Sequence, residues 1–542
     1  VMLKARAFRR DHSPSSVASA TYLIGTATGA PILSPGSGSY PSKINVTVSN
    51  TTPGATIRYT IDGTDPDGED DEIADGGTIT VDRDLRIKAR AWADGLDPSP
   101  VTIGDYVITG AVAGGNNHTL ALHRDGTVWA WGRNPNGEIG TGDDQVSEYR
   151  VPQHVVNLTD IVAVDAGPHF SMALRADGTV WTWGWNHGYR LGVGPSPGHT
   201  AVPMQVVTED EQPLQNIAAI SAGGSHALAL ADNGTLWAWG ANYDGPLGIG
   251  SNDNKSRAVP VPNLTGIGAI AAGGYFSLVL KTDGEATGSL WAFGENSAGQ
   301  VGDGTDVDRL SPVKVLDNVR SIGAGGIHAL VVMADGTVFG TGLNDRGQLG
   351  IGEMGDPFFT YQPVFGGAAG IERFSASGVH SLALRADGTV LGTGHNDAGQ
   401  VGDGTTIHRH TPTVLPIIRN VIQAEATMRV GSVFTGWYAH SVALTDDGKV
   451  WVWGTNAYGQ LGIGGTNHDN RYRPYPIPGF NLTDRSWPDG DPDEDGLRTE
   501  LELELGTDPF NADTNGDGID DLTASRSGLD PLDPDMDGDG ID

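Results

Sequence analysis

The chain has 542 residues and a formal net charge of −34, from 67 acidic and 33 basic side chains. This acidity argues against a nucleic-acid partner and an anionic membrane surface, because binding to phosphate groups requires Lys and Arg to displace counterions. The absence of cysteine excludes thiolate catalysis, disulfides and cysteine-ligated zinc, and no apolar run approaches the roughly 18 residues of a membrane span. The 80 glycines and 31 prolines lie among aromatic and β-branched residues, which predicts several domains of turn-rich β-structure.

The first 109 residues contain an internal duplication. Residues 1–24 align without gaps on residues 85–108, so that Lys4-Ala-Arg-Ala7 matches Lys88-Ala-Arg-Ala91. Residues 31–109 are predicted to be a complete small β-sandwich, because stretches such as 57–61 alternate apolar and polar residues. Residues 1–24 are then expected to be the last two strands of a preceding copy whose first part lies outside this sequence.

This duplicated segment resembles a known module. The run Tyr59-Thr-Ile-Asp62-Gly63-Thr-Asp65-Pro66, together with the Lys-Ala-Arg-Ala-Trp strand, is similar to the immunoglobulin-like C-terminal domain of chitobiase and β-hexosaminidase. The resemblance implies a spacer in a secreted bacterial protein. The acidic run from Asp65 to Glu72 is either a cation site or a solvated hairpin loop.

Residues 110–483 repeat one pattern seven times. The fullest form of the pattern has a Gly-x-x-His turn, an Ala-Leu strand, Asp-Gly-Thr-Val, a Trp-x-Trp-Gly strand and then Asn-x-x-Gly-x-Leu-Gly, and individual copies replace some of these residues. The period of about 52 residues suits four short strands, and seven copies suit a closed ring, so we predict an all-β chain built around a seven-bladed β-propeller. Residues 474–483 are expected to close the ring against the first copy. The strand-ending glycines are Gly132, Gly184, Gly240, Gly294, Gly342, Gly394 and Gly454.

These repeats resemble the regulator of chromosome condensation family of propellers. That family includes a nuclear exchange factor for a small GTPase, a plant ultraviolet sensor and secreted bacterial binders, so the resemblance implies the fold and leaves the function open.

The internal copies separate structural from functional residues. The turn histidine of five copies is replaced by Phe170 and Phe276 in the other two, and phenylalanine can neither bind a metal nor transfer a proton. We therefore predict that the turn aromatics are buried between repeats, and that His226→Phe costs no more than about 1–2 kcal/mol. The second tryptophan of the Trp-x-Trp strand is predicted to be core for the same reason, since Thr341 and Thr393 replace it in two copies.

Three segments differ between copies by carrying additional aromatic residues on predicted loops, and large aromatics on loops are typical anchors of binding surfaces. The alternative is that these aromatics fold over the ends of the sheets. If they bind a partner, replacing Phe358, Phe359 and Tyr361, or Trp437 and Tyr438, by alanine should weaken binding at least tenfold, about 1.4 kcal/mol. The candidates are Trp185, His187 and Tyr189 in the second copy, Phe358, Phe359 and Tyr361 after the fifth, and Trp437 and Tyr438 before the seventh.

The last 59 residues carry 20 acidic and 3 basic side chains and contain one complete calcium-loop motif. Acidic ligands at loop positions one, three and five, a carbonyl at seven and a glutamate at twelve converge on a single ion. The first loop has all of them, whereas the second has Ala524 in place of the closing glutamate and the third ends with the sequence. The predicted ligands are Asp491, Asp493, Asp495, Leu497 and Glu502 in the first loop, Asp513, Asn515, Asp517, Ile519 and Asp520 or Asp521 in the second, and Asp535, Asp537 and Asp539 in the third.

With Gly506-Thr-Asp508-Pro509 and Asp533-Pro534 between the loops, residues 489–542 resemble bacterial thrombospondin type 3 repeats. The alternative is a solvated acidic tail that binds no ion. Because calcium is millimolar outside cells, the motif indicates an extracellular or cell-surface protein, and the resemblance of the N-terminal module implies a bacterial one.

Two functional hypotheses follow. The first is a non-catalytic extracellular binding or structural protein that contacts a protein, a glycan or a second copy of itself, with calcium stiffening the C-terminal segment. The second is a carbohydrate-active or lyase-type enzyme with its site at the mouth of the propeller. A carboxylate or histidine pair that is unique to one repeat and faces the axis would favour the enzyme, and the sequence shows none clearly.

Overall fold

The computed structural model describes residues 2–5, 18–21, 27–36, 38–40, 44–61, 64–81, 85–108, 110–283, 285, 287–427, 439–465, 468–483, 507 and 522–524. The chain divides into two compact units, Val1–Ile108 and Thr109–Asp542. Across the described residues helix is confined to two short 3-10 turns, His187–Tyr189 and Phe365–Gly367, and one turn at 522–524. None of these described helical turns has the length or apolar character needed to cross a membrane.

The first unit contains two sheets that enclose one apolar core, which includes Val46, Ile57, Ile87 and Tyr106. Alternation along Leu85–Trp92 explains this core, because Ile87, Ala89 and Ala91 are buried while Arg86 is exposed. One sheet has five strands, Gly38–Tyr40, Thr102–Ile108, Leu85–Trp92, Thr56–Thr60 and Asp71–Ile73, and the other has three, Ile32–Ser34, Ile44–Ser49 and Gly77–Val81. A separate pair, Met2–Ala5 and Ala18–Thr21, is antiparallel.

The acidic run of this unit is engaged in its own loop contacts. Asp65 accepts a bond from Lys88 Nζ at 2.8 Å, and the Asp67 and Asp70 carboxylates accept main-chain N–H groups at 2.8 and 2.6 Å. Glu72 lies 3.3 Å from Arg58 Nη2. These contacts support the interpretation of this run as a solvated loop.

The second unit repeats four consecutive antiparallel strands seven times. The long strand Arg309–Ala324 is both the last strand of repeat 4 and the first of repeat 5, so these two repeats share one sheet. The remaining strands are Ala111–Gly114, His118–Leu122, Val128–Arg133 and Glu148–His154 in repeat 1; Ile161–Gly167, Phe170–Arg175, Val180–Trp185 and His199–Gln205 in repeat 2; Ile217–Ala222, His226–Ala231, Leu236–Gly240 and Lys255–Pro260 in repeat 3; Ile267–Ala272, Phe276–Lys281 and Gly288–Gly294 in repeat 4; His328–Met333, Val338–Asn344 and Gly355–Pro363 in repeat 5; Ile371–Ala376, His380–Arg385, Val390–Gly394 and Arg409–Val414 in repeat 6; and Val421–Ala426, His440–Thr445, Lys449–Gly454 and Arg471–Asn481 in repeat 7.

The first strands of all seven repeats surround an axial cavity of about 320 Å³. Gln423 of repeat 7 joins the ring to repeat 1, because its side-chain amide exchanges two hydrogen bonds with the main chain of Val112, at 2.8 and 3.0 Å. The Leu482 carbonyl accepts the Arg124 N–H at 3.0 Å. Residues 474–483 therefore close against the first repeat, as predicted.

The Asp-Gly turns form the hairpins between second and third strands. In repeat 1, Asp125 Oδ1 accepts the N–H and the hydroxyl of Thr127 at 2.8 and 2.7 Å. Gly126 has φ 88°, a conformation that glycine adopts without strain. These aspartates thus stabilise hairpins, in agreement with the sequence pattern.

Candidate functional site

Two variable residues of each repeat lie side by side at one end of the propeller. The residue after the strand-ending glycine donates its N–H to the carbonyl of the residue before the turn aromatic, for example Trp185 to His169 at 2.8 Å and Glu295 to Tyr275 at 2.9 Å. We call these residues and the Asn-x-x-Gly loops beside them the variable rim. The paired residues are Arg133 and Asn117, Trp185 and His169, Ala241 and Ser225, Glu295 and Tyr275, Leu343 and Ile327, His395 and Val379, and Thr455 and Ala439.

The variable rim of repeat 2 holds Trp185 as a fixed aromatic platform. The ring of His187 stacks on Trp185 with centroids 4.8 Å apart and planes at 24°, and His169 meets it edge-on at 5.5 Å. The guanidinium carbon of Arg190 lies 4.9 Å from the Trp185 centroid. Trp185 is partly exposed and His187 is exposed, so this part of the predicted binding group presents an ordered surface. Tyr189 is partly buried.

Buried charges that were not predicted support this platform. Arg190 donates to the His187 carbonyl at 2.7 Å and to Ser225 Oγ at 3.3 Å. In repeat 1, Glu138 occupies the place of Arg190, and both oxygens of its carboxylate accept bonds from Asn136, at 2.8 and 2.7 Å. Repeats 4 to 7 have glutamine at this position, so an acid and a base in adjacent repeats were a signal available in the sequence.

Burial shifts the titration of these groups. It raises the pKa of Glu138, and it lowers the pKa of Arg190 to about 10. Burial, followed by repulsion from Arg190 and Arg133, lowers the pKa of His169 to about 4. His169 is therefore neutral at physiological pH, which suits a packing group better than a general acid.

The second Trp-x-Trp tryptophans are core residues, as predicted. All four of them are fully buried, and each donates its indole N–H to a main-chain carbonyl of the preceding repeat; Trp183 bonds to Glu138 O at 2.8 Å. Where Thr341 replaces tryptophan, its hydroxyl lies within hydrogen-bonding distance of two carbonyl oxygens, 2.8 Å from that of Gly299 and 2.7 Å from that of Phe358. The remaining space is filled by Tyr361, which packs in the core between repeats 4 and 5.

This packing corrects the prediction for Tyr361. The aromatic segment lies in the strand Gly355–Pro363 and not in a loop, and Tyr361 is only 7% exposed. Burial raises its pKa far above the usual range. Phe359 is 37% exposed and Phe358 is partly buried, so of the three residues Phe359 offers the most surface to a partner.

The other predicted site residues lie outside the described part of the chain. These are Trp437 and Tyr438, and all the candidate calcium ligands between Asp491 and Asp539. Their assignment stays a prediction.

The turn histidines are structural, as predicted, and each is paired with a particular side chain of the next repeat, which was not predicted. Each histidine Nε2 contacts a hydroxyl on the second strand of the next repeat, such as His226 with Ser277 at 2.9 Å. Phe170 and Phe276 pack instead in cores that contain Ala227 and Ala329 at the hydroxyl position. Around the whole ring, a turn histidine therefore contacts Ser or Thr of the next repeat, and a turn phenylalanine packs in a core with Ala at that position. The other pairs are His118 with Ser171, His328 with Ser381, His380 with Ser441 and His440 with Thr119, at 2.7–3.0 Å.

Two carboxyl groups, Asp165 and Glu425, line the axial cavity. The Asp165 oxygens accept the N–H groups of Ala166 and Ala222, each at 2.8 Å. Glu425 accepts the Ser375 hydroxyl at 2.6 Å and the Gln423 amide at 3.1 Å. Burial raises the pKa of Asp165 to about 6 and, together with repulsion from Asp165, that of Glu425 to about 7. The remaining repeats have only Ala, Gly or Ser at this position of the first strand.

A His-Asp-His cluster in repeat 6 has the spacing of a metal site but the wrong hydrogen bonds. His395, Asp397 and His408 bring their ligand atoms within 4.8 Å of one another. However, Gln400 Oε1 is held by the Ala398 N–H at 3.0 Å, so its amide nitrogen donates to His395 Nδ1 at 2.8 Å. The proton of neutral His395 must then sit on Nε2, the atom that faces Asp397 at 3.2 Å. A metal-binding histidine needs that nitrogen unprotonated and its other nitrogen facing an acceptor, so this arrangement does not fit a metal ion.

The profile of the RCC1-like domain family matches residues 150–487, which is more than half of the chain. This chain belongs to the RCC1-like domain family. Profiles of the regulator of chromosome condensation (RCC1) repeat also match residues 111–138 and 125–174. The chitobiase/beta-hexosaminidase C-terminal domain profile matches residues 35–103, which confirms the resemblance of the first unit. The resemblance of the C-terminal segment to thrombospondin type 3 repeats stays a prediction.

Curated relatives of this RCC1-like chain have different functions. Ultraviolet-B receptor UVR8 of Arabidopsis thaliana is 29% identical over 361 residues, which cover 65% of this chain and 78% of the receptor. E3 ubiquitin-protein ligase HERC2 of Mus musculus is 30% identical over 367 residues, which cover 66% of this chain but only 7% of the ligase. The ligase activity of so much larger a protein cannot be assigned to the matching segment.

Solved structures confirm the RCC1-like propeller fold. Yeast RCC1 (Prp20), in a structure bound to Kap60, has a TM-score of 0.57 and 22% identity, and the match covers 66% of this chain and 84% of that protein. Human WBSCR16 has a TM-score of 0.56 and 22% identity over 65% of this chain and 94% of its own.

Proposed function

We propose that this chain is a non-catalytic binding protein whose seven-bladed propeller contacts a partner at the cell surface through the variable rim. The first unit would act as an immunoglobulin-like spacer, and calcium would stiffen the C-terminal segment. The Trp185 platform carries the proposal, because three neighbouring side chains hold a partly exposed tryptophan in one orientation. A preorganised aromatic anchor binds with little loss of side-chain entropy.

The RCC1-like relatives support a protein partner over a glycan. The solved complex of yeast RCC1 with Kap60 is a protein–protein complex, and a second Prp20 structure is described together with its binding to Gsp1p and histones. Kap60, Gsp1p and histones are partners of the yeast protein. For this chain they favour a general role in protein interaction, on a surface built from the loops at one end of the ring.

Replacing the platform should weaken partner binding. We expect Trp185→Ala to raise the Kd for the partner at least tenfold, because the variant loses the anchor and its stacking on His187. Partners captured by the immobilised chain would be identified by mass spectrometry, and their Kd measured by biolayer interferometry.

Tyr472→Ala is the matched control, since Tyr472 is 46% exposed and lies outside the Trp185 platform. It should bind like the wild-type chain. An unchanged Kd for Trp185→Ala, with normal circular dichroism, would contradict the proposed role of the platform.

The calcium motif supports the proposed extracellular location. A complete loop with three aspartates and a closing glutamate suits ions at extracellular concentrations. We expect Glu502→Gln to remove the tightest calcium site in isothermal titration, because it removes the bidentate ligand. Chelation should also raise hydrogen exchange in residues 491–542 while exchange in the propeller stays the same. Calcium binding that is unaffected by Glu502→Gln would refute this assignment.

One observation favours the enzymatic alternative. Asp165 and Glu425 are two carboxyl groups that face the axis, although they come from repeats 2 and 7 and not from one repeat, as the predicted mark of an enzyme required. Both groups already accept hydrogen bonds from the surrounding ring, which suits a structural role. Turnover of a polysaccharide by the purified chain, abolished in Glu425→Gln, would establish the enzyme instead.

A further inference from the structure

Three acidic side chains gather on the variable rim where repeats 3 and 4 meet. Glu295 follows the strand-ending glycine of repeat 4, and Asp244 lies in the Asn-x-x-Gly loop of repeat 3. Asp308 is exposed and accepts the Asn296 N–H at 2.8 Å. Within the described part of the chain, none of the three forms an ion pair with a basic residue.

The three carboxylates repel one another. Burial raises the pKa of Asp244, and repulsion from Asp308 adds to the shift. Burial also raises the pKa of Glu295, with further contributions from Asp244 and Asp308. The cluster is therefore a region of negative potential that a cation from outside would relieve.

The fold does not require these charges. Asn254 in repeat 3 and Asn470 in repeat 7 stand at the position of Asp308. Their side-chain oxygens accept the main-chain N–H of the first Asn of the Asn-x-x-Gly loop, at 2.7 and 3.1 Å. Asn136 stands at the position of Asp244 in repeat 1, and the position of Glu295 carries six other residue types around the ring. Three acids converge at this place although neutral residues would serve the same structural purpose.

Aromatic and amide groups complete the surface. Tyr243 is 62% exposed beside Asp244, and an aromatic face next to carboxylates is the usual environment of a bound guanidinium or ammonium group. The side chain of Gln300 is fully buried, its amide oxygen accepts the Ala298 N–H at 2.9 Å, and its NH₂ has no acceptor among the described residues. In repeat 6 the equivalent NH₂ of Gln400 bonds to His395, the counterpart of Glu295. By analogy with repeat 6, this unpartnered NH₂ is directed toward Glu295.

The cluster is continuous with the Trp185 platform. The Tyr275 carbonyl accepts the Glu295 N–H at 2.9 Å, and Tyr275 lies close enough to Arg190 to interact with its charge. Arg190 donates to Ser225 Oγ at 3.3 Å. Arg190 in turn lies over Trp185. One partner could therefore cover both features.

We propose that Asp244, Glu295 and Asp308, with Tyr243, bind an arginine or lysine side chain of the protein partner. The inference rests on the proposed function, and it adds the chemical class of the partner: a basic segment that lies across repeats 2 to 4. The net charge of −34 would steer such a segment toward the chain, and the cluster would select where it docks.

The test uses a fluorescein-labelled ten-residue peptide with four arginines separated by glycine and serine, at 150 mM salt to screen distant charges. The triple variant D244N, E295Q and D308N should bind it at least tenfold more weakly than the wild-type chain. The control variant E353Q, D356N and E372Q removes the same charge from exposed acids of repeats 5 and 6, and its affinity should fall less than twofold. Both variants should keep their thermal unfolding, since asparagine already occupies two of the three positions in other repeats.

An equal loss of affinity in both triple variants would overturn the inference, because the peptide would then respond only to total charge. No measurable peptide binding would overturn it as well. If a natural partner still depends on Trp185 in either case, the proposed function stands without this inference. If the triple variant alone loses the peptide while Trp185→Ala leaves partner binding unchanged, the acidic site stands and the platform hypothesis fails.

Discussion

The free energy of unfolding of the propeller should fall steeply between pH 7 and pH 5. Five histidines, one in each of five repeats, are at most 1% exposed. Burial lowers the pKa of His118, His226, His380 and His440 to about 3, and that of His328 to about 4. These histidines stay neutral in the folded chain and take up protons in the unfolded chain, below a pKa of about 6.5. Folded-state stability is therefore complete above pH 6.5 and is lost as the pH falls below it.

The expected loss is large. At pH 5 each buried histidine costs about 2 kcal/mol, so five cost on the order of 10 kcal/mol, as much as the whole stability of many domains. Asp165 and Glu425 act in the opposite direction, because their raised pKa values favour the protonated folded state as the pH falls from 7 to 5. They offset about 4 kcal/mol of this loss, so the free energy of unfolding falls by several kcal/mol in total.

Urea denaturation followed by tryptophan fluorescence at pH 5, 6, 7 and 8 would measure this loss. The slope of unfolding free energy against pH reports the number of protons taken up on unfolding. A stability that stays level from pH 7 to pH 5 would show that the histidines can protonate in place.

The second prediction concerns the pairing of residues between neighbouring repeats. His226→Phe alone should lower the free energy of unfolding by about 2 kcal/mol, because Ser277 loses the imidazole N–H and faces an apolar ring. Ser277 still donates its hydroxyl to Pro246 O at 2.8 Å, which limits the cost. Adding Ser277→Ala should restore stability to within about 1 kcal/mol of the wild-type chain, since Phe170 and Phe276 already pack in cores with alanine at that position.

Urea denaturation of the two single variants and the double variant gives the coupling energy directly. Phe170→His is the mirror control: its imidazole would face Ala227 with no acceptor, and Ala227→Ser should rescue it. The double variant of His226→Phe and Ser277→Ala should also take up one proton fewer than the wild-type chain on unfolding at pH 5. A double variant no more stable than His226→Phe would show that the pairing is coincidental.

Much of this protein follows from its sequence because its structure repeats. The geometry of a hairpin depends on adjacent residues, so the Asp-Gly pairs predicted the turns between strands. The replacement of His by Phe at equivalent positions predicted that the turn aromatics are buried between repeats. Seven internal copies also indicated the closed ring. The residues that proved structural were those whose role recurs in each copy.

Contacts between copies were decided only by tertiary structure. Tyr361 was expected on a loop, but it fills the space left by a missing tryptophan at Thr341, and this compensation links positions on two strands. Asp165 and Glu425 lie in repeats 2 and 7 and line one cavity only because the ring closes. In the acidic cluster, Asp244 of repeat 3 likewise lies 51 positions before Glu295 of repeat 4. Local sequence determines each repeat, whereas the neighbours of a rim or axial side chain depend on how the repeats are arranged around the axis.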